Sequence, residues 1–327
     1  MTLLLPFWPF VILVVGLTLI LWFCGAAQGR LIDGPVTISR HLFMVSALAL
    51  LVLAVASPLT GLVTRSFALH QWQHLLIRIA VPMLLVLAWP GRVLLAGLPA
   101  RARRRWLKPV LASAPLNRMV NMLLRLPVAF VLFVAALYVL QIPALHNAAV
   151  QNEVLRGFLH ALLLLVGLIF WSAVLDRRDP PDGAFRPLRA LALLLAIVSN
   201  ILLGSLTTLK EVVLYPAYDL HPRLFSASAM SDEVIGGYTI WVPSSMIFII
   251  GVLIVLHGWG KYEERQFKLR HVWNGTNSSA LEHPQTAAEL RLKVRSPNQA
   301  TAVVLASVSL GIFIIVFATM TAIMTMF

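Results

Sequence analysis

Apolar residues fall in eight long runs, at about 4–26, 41–64, 72–97, 126–142, 154–175, 187–209, 235–259 and 299–325. A hydrocarbon core of ~30 Å needs about 20 apolar residues per crossing helix, and each run is close to that length. None alternates with the ten-residue period of a barrel strand, so the pattern predicts helices. The expected fold class is all-α, a polytopic transmembrane helical bundle of about eight spans. Residues 1–327 form a single transmembrane domain on this reading, with a polar loop at 261–298 and an extra C-terminal span at 299–325. The first run has no basic residue before it and is longer than the apolar part of a cleaved signal, so a retained first span is expected.

Composition agrees with this pattern. The 327 residues are 59% hydrophobic and 12% charged, with a mean hydropathy of +0.86. The formal charge of +13 would suit nucleic acid in a soluble chain. Here the hydrophobicity excludes a solvated basic domain, so no nucleic-acid partner is expected, and the excess reads as orientation signal and contact with membrane lipid. With the N-terminus outside, twenty-one Lys and Arg residues fall on the inner side and four outside, with Arg78 inside a span. Both termini are therefore expected outside, and the basic stretch 101–109 and the loop 261–298 inside. Asn274 and Asn277 match the glycosylation sequon but fall on the inner side. Cys24 is the one cysteine, which leaves no internal disulfide and no cysteine metal cluster.

Orientation sorts the nine histidines. His70, His74, His146, His160 and His221 fall on the outer side, together with Glu153, Glu211, Asp219, Asp232 and Glu233. Acidic groups and imidazoles outweigh the basic residues there, a combination suited to a cation. His70 and His74 lie one helical turn apart, so both rings can reach one metal ion. His160 is expected at similar depth on the fifth span and supplies a third imidazole. Imidazole suits copper or zinc, and the spacing does not choose between them. The bland alternative is a pair bonded to headgroups, water or backbone. His146 and His221 read as solvated loop residues. Arg78, one turn below His74, reads as an ion-pair partner of Glu153 or Glu211, or else as a charge that discourages a second cation. Met320, Met324 and Met326 close the last span as a patch of soft copper ligands or as lipid-facing filler. A b-type haem reading pairs His74 with His160 and His41 with His257. A transporter reading needs a polar path, for which Arg78, Asn200, Ser205, Thr207 and Thr208 supply only the outer half. No nucleophile and base are arranged for catalysis, so an enzyme is not expected.

The runs SPLTGLVTRSFALHQWQHLL (57–76), FLHALLLLVGLIFW (158–171), YPAY (215–218) and SDEVIGGYTIWVP (231–243) resemble the CtaG family of cytochrome c oxidase assembly factors over about 38–260. The most specific element is Ser57-Pro58-Leu59 followed by His70, Gln73 and His74. Next is the block of Asp232, Gly236, Gly237 and Trp241. The resemblance implies a multi-pass protein of the bacterial inner membrane, both termini periplasmic, that assists copper insertion into a haem-copper oxidase. Its partners would be a periplasmic copper donor and an oxidase subunit. Arg78 and the eighth span depart from the family's seven-span pattern. Joined with the spacing, the expected copper site is His70, His74 and His160, with Asp232 and Glu153 as nearby carboxylates and Gln73 orienting an imidazole. Three histidines with one open position would bind and still release the ion. Gly236 and Gly237 read as a close backbone approach, Trp241 as an interfacial anchor, and Pro58, Pro82 and Pro90 as kinks or ends.

Overall fold

The computed structural model describes residues 7–28, 35–56, 59–180, 182–220, 222–224, 227–270 and 286–326, and every regular element among them is helical. In chain order the main helices are α1 (Phe7–Ala27), α2 (Ile38–Ala56), α3 (Phe67–Ala88), α4 (Pro90–Gly97), α5 (Ala114–Leu123), α6 (Leu126–Leu140), α7 (Pro143–Gln151), α8 (Glu153–Val174), α9 (Arg186–Leu209), α10 (Ala229–Arg270) and α11 (Ala287–Met326). Six are long and apolar enough to cross a membrane, and a seventh crossing exists if α5 and α6, bent by 69° at their junction, form one broken span. The protein is thus a multi-pass helical membrane protein. Two compact units divide within α10, at Val252. In the C-terminal unit, Trp259 donates to Glu263. The eighth expected span falls in α11, where the described apolar stretch Gln299–Ile312 is shorter than a full crossing.

One core of the larger unit is built by α1 and α2 around the fully buried Trp22, with Val15, Met44, Leu48, Ala88 and Val93 packed beside it. The Trp22 indole donates to His41 Nδ1 at 2.9 Å, which gives its N–H a partner in an apolar setting. A second core stacks Phe133 on Phe170 at 4.2 Å, with Phe248 set edge-on against both.

The third span runs Phe67–Ala88, not 72–97 as the hydropathy pattern predicts. Its start is set by polar capping at Ser66, which a hydropathy window does not register. His70, which falls just before the expected span, therefore lies inside the helix together with His74. Its end is set by Trp89, held at φ 53 and ψ 59, the left-handed conformation that terminates helices. Pro90 opens the next helix. Arg40 donates to the carbonyls of Ala88 and Trp89 at 3.0 and 2.9 Å, a cation at the negative end of α3.

Inside α3 the chain widens into a π-helical turn at Leu76–Ala80, where Val81 N–H reaches back five residues to Leu76. Pro82 follows and has no N–H for the Arg78 carbonyl. Pro82 thus loosens the helix instead of ending it. That carbonyl faces Gly167 of α8 so closely that a Cβ there would lie 2.2 Å from it and 2.7 Å from the Pro82 ring. Glycine lets α3 and α8 meet about two helical turns from His160. Pro58 lies outside the described residues. Gly167→Val is expected to cost about 1–3 kcal/mol of stability through overpacking, read as a lower thermal midpoint, whereas Gly16→Ala, with open space around it, should leave the midpoint unchanged or raise it.

Candidate metal centre

The first turn of α3 is fixed by a carboxylate from another helix. Ser66 caps the helix by accepting from Leu69 N–H at 3.3 Å, and its hydroxyl donates to Asp232 Oδ1 at 2.7 Å. Asp232 also accepts from Phe67 N–H at 2.7 Å and Ala68 N–H at 3.2 Å, so it satisfies two of the orphan donors at the positive end of the helix. Arg223 pairs with the same carboxylate at 2.8 Å. The next residue, Glu233, is fully buried and accepts from Leu214 N–H at 3.1 Å, Tyr215 N–H at 2.9 Å and the Lys210 ammonium. Together these two acids fasten Lys210, Leu214, Tyr215 and Arg223 over the start of α3. Tyr215 then stacks on Phe67 at 4.4 Å and donates to the Gln141 carbonyl at 2.8 Å. At Gly236 a Cβ would lie 2.2 Å from the Phe67 ring, so the expected close approach at the Gly-Gly pair seats this aromatic.

On the opposite side, Asn152 caps α8 by accepting from Val154 N–H and Leu155 N–H at 3.0 and 3.1 Å. His160 consequently sits two turns into α8. His70, His74 and His160 converge, with one ligand atom from each within 4.8 Å of the others. Ring centroids are 4.4 Å apart for His70 and His74, 5.6 Å for His74 and His160, and 6.0 Å for His70 and His160. His70 Nε2 and His160 Nε2 are buried without a hydrogen-bond partner among the described residues. They bound a cavity of about 10 Å³, which is room for one ion or one water and far too little for a macrocycle.

The hydrogen-bond network decides which nitrogen of His70 carries its proton. His146 Nδ1 lies 3.0 Å from the Leu140 carbonyl, which can only accept, so Nδ1 holds the hydrogen. Burial pushes the His146 imidazole down to about 4, against a smaller upward pull from that carbonyl, and keeps the ring neutral. Its Nε2 is then an acceptor, and Tyr218 Oη donates to it at 2.8 Å. The phenol is itself held well above its ordinary range by burial, with Asp232 adding to the effect, and so keeps its proton. With that hydrogen used, Tyr218 Oη must accept from His70 Nδ1–H at 2.5 Å. The neutral His70 ring is left with its lone pair on Nε2, toward the other two imidazoles. A partner on the far nitrogen is how metal-binding histidines are usually oriented.

Several expectations change here. His146 is buried and ordered in this relay, not solvated. Gln73 donates to the Ala54 carbonyl at 2.6 Å and so ties α3 to the end of α2 rather than orienting an imidazole. Among the described residues Arg78 has no carboxylate partner: Nη2 donates to Asn200 Oδ1 at 2.8 Å and the guanidinium lies 4.9 Å from the centre of the Phe133 ring. Among the described residues the convergent group is the three histidines alone. Asp232 is engaged in capping, and Glu153 lies exposed on the first turn of α8. His221, Ser57 and Pro58 lie outside the described residues, as do the side chains of Leu59, Met320, Met324 and Met326. Sequence reasoning missed Tyr218 altogether, although the YPAY segment that carries it stood out.

A model of the cytochrome c oxidase caa3 assembly factor family matches residues 19–261. An uncharacterized protein of Mycobacterium leprae is 28% identical over 211 residues, covering 61% of this chain and 31% of that protein. One from Mycobacterium bovis is 25% identical over 239 residues, covering 70% of this chain and 35% of its own length. The chain thus spans about a third of the length of the curated relatives it matches. No solved structure matches it.

Two outcomes test the relay and the cap. Nitrogen-15 NMR of the histidine rings should find His70 protonated on Nδ1, and Tyr218→Phe should release that preference and cost about 1–3 kcal/mol by leaving a buried donor unsatisfied. Asp232→Ala should cost about 1–3 kcal/mol in thermal or denaturant unfolding, because it uncaps α3 and removes one of the two carboxylates on Arg223.

Proposed function

The chain belongs to the cytochrome c oxidase caa3 assembly factor family, and from that premise we propose that it carries copper on His70, His74 and His160 for insertion into a haem-copper oxidase. The observation that carries this reading is the convergence of three imidazoles, two of which, His70 and His160, have a buried Nε2 with no partner among the described residues. A buried imidazole nitrogen without a partner is costly in an apolar setting, and a metal ion removes that cost. The donor set fits the ion: imidazole suits copper, and copper lies above zinc in affinity for a given nitrogen site.

Copper is cargo on this reading and not a resident cofactor. A periplasmic donor would load the site from the outer face of the bacterial inner membrane, with both termini on that same face. An oxidase subunit docked on the helices would then take the ion by ligand exchange. The chain's own contribution is positional and requires no catalysis. Tyr218 and His146 keep the His70 lone pair aimed at the ion, Asp232 and Ser66 hold the helix that bears His70 and His74, and Gly167 lets α8 bring His160 close. Three protein ligands leave a coordination position for the incoming donor or acceptor, as transfer requires. A bis-imidazole haem is disfavoured because only about 10 Å³ is free between the rings.

Elemental analysis of the purified protein is the direct test. Stoichiometric copper is expected in the wild type and none in a His70→Ala/His74→Ala variant that keeps its helical spectrum. Equal copper in both would overturn the site. Tyr218→Phe should retain copper with affinity reduced about 10–100-fold, as loss of outer-shell orientation does. Cells without the protein should assemble an oxidase deficient in copper and regain part of its activity on added copper.

A further inference from the structure

Directly inward of the histidines lies a second small cavity of about 20 Å³, lined in part by Gln71, His74, Arg78, Gln141 and Ser244. Arg78 is its one charged group and is only 4% exposed. Its Nη2 is spent on Asn200 and its face on Phe133, both neutral, while Nη1 is buried with no partner in the protein. The ion pairs of the described residues do not include it. The two buried carboxylates of the described residues belong to other cations, Asp232 to Arg223 and Glu233 to Lys210. A guanidinium remains charged at any ordinary pH, so an unpaired positive charge sits among apolar helices, where isolated charge is expensive.

The acceptors around the cavity are already occupied. Gln141 Nε2 donates to Gln71 Oε1 at 2.6 Å, and Gln141 Oε1 receives both Tyr215 Oη at 3.2 Å and the Gln71 amide at a loose 3.5 Å. Ser244 gives its hydrogen to the Ile240 carbonyl. What remains is a surplus of donors: Arg78 Nη1 and the weakly held Gln71 amide. A water there would leave the charge uncancelled. An acceptor with one negative charge both partners Nη1 and cancels it. The volume admits one water-sized particle, which fits a monatomic ion and excludes sulfate or phosphate.

We infer that this cavity binds a single small monovalent anion, of the size of chloride, on Arg78 Nη1. The site stands apart from copper, since Arg78 lacks a carboxylate whether or not a metal is present. His74 borders both cavities, so an anion here would also lie beside a loaded metal site and offset its charge.

The test is equilibrium dialysis of the full-length protein in detergent, freed of halide in gluconate buffer, against radiolabelled chloride, with and without copper. Saturable, stoichiometric binding is expected, displaced by bromide and not by sulfate. Arg78→Gln should abolish it. Ala136→Leu should abolish it too, because it fills the cavity without touching the guanidinium, and this variant decides the matter if Arg78→Gln does not fold. Absence of saturable chloride binding in folded wild type, or undiminished binding in the folded Ala136→Leu variant, overturns the inference. Neither outcome bears on the copper content of the same samples, so the two sites are judged separately.

Discussion

The hydroxyl of Tyr218 is the contact on which the candidate site turns. It is shared by two imidazoles and can donate to only one of them, and the Leu140 carbonyl fixes which. One backbone oxygen on α6 thus determines, through two rings and a phenol, which nitrogen of His70 faces inward unprotonated. The chain of inference holds because every member is buried and hydrogen-bonded to the next, so each bond settles where the following proton lies. In a solvated setting the same residues would exchange tautomers freely, and three nearby histidines would say little about a metal.

Much of the remaining structure serves to hold that contact in place. Tyr218 lies on a short helix, Pro216–Leu220, whose flanking chain is secured by Glu233 below and by Arg223 bonded to Asp219 and Asp232. The ring sits in a buried cluster with Phe67, Val150, Tyr215 and Ala217, so aromatic packing and the polar bonds restrict the same side chain. His70 is fixed from the other direction by the capped start of α3. The loop carrying the hydroxyl and the helix carrying the imidazole are both tied to the first turns of α10, and their separation is therefore set by one element. Such double support is what keeps a ligand geometry from drifting.

Helical class, the multi-pass character and the three histidines were legible in the sequence because each leaves a local signature: long apolar runs, an i, i+4 pair, and a lone imidazole in an apolar helix. Span ends were less so. The start of α3 depends on Asp232, which is 166 residues from Ser66, and no window along the chain can register a cap supplied from that distance. The roles of His146, which read as a solvated loop residue, and of Tyr218, which drew no reading, were hidden for the same reason, since both fall in short helices between spans. Gln73 was misread as an orienting group because its spacing beside His74 suggested it, whereas its amide finds the Ala54 carbonyl left open at the end of α2. Arg78 was assigned an acid because buried arginines usually have one. Here an amide and an aromatic face take part of that role.

The two acids that might have completed a metal site instead explain why imidazoles alone are left to form it. Asp232 and Glu233 are neighbours in sequence and so project about 100° apart around α10, the angle between successive residues of an α-helix. One carboxylate is consequently directed at the start of α3 and the other at the 210–215 segment, and each is saturated by backbone N–H groups and a basic side chain. Freeing either oxygen pair for a cation would require uncapping a helix or releasing the loop that carries Tyr218. The outer end thus spends its negative charge on architecture, and its ligands are neutral. On the copper reading proposed above, neutral ligands would leave the charge of a bound ion uncompensated by the protein, so that a nearby negative species would offset it. The unpaired guanidinium of Arg78 raises the same need from the other side of His74, so two separate features of the fold, an acid pair committed elsewhere and a cation without a carboxylate, point to one missing negative charge.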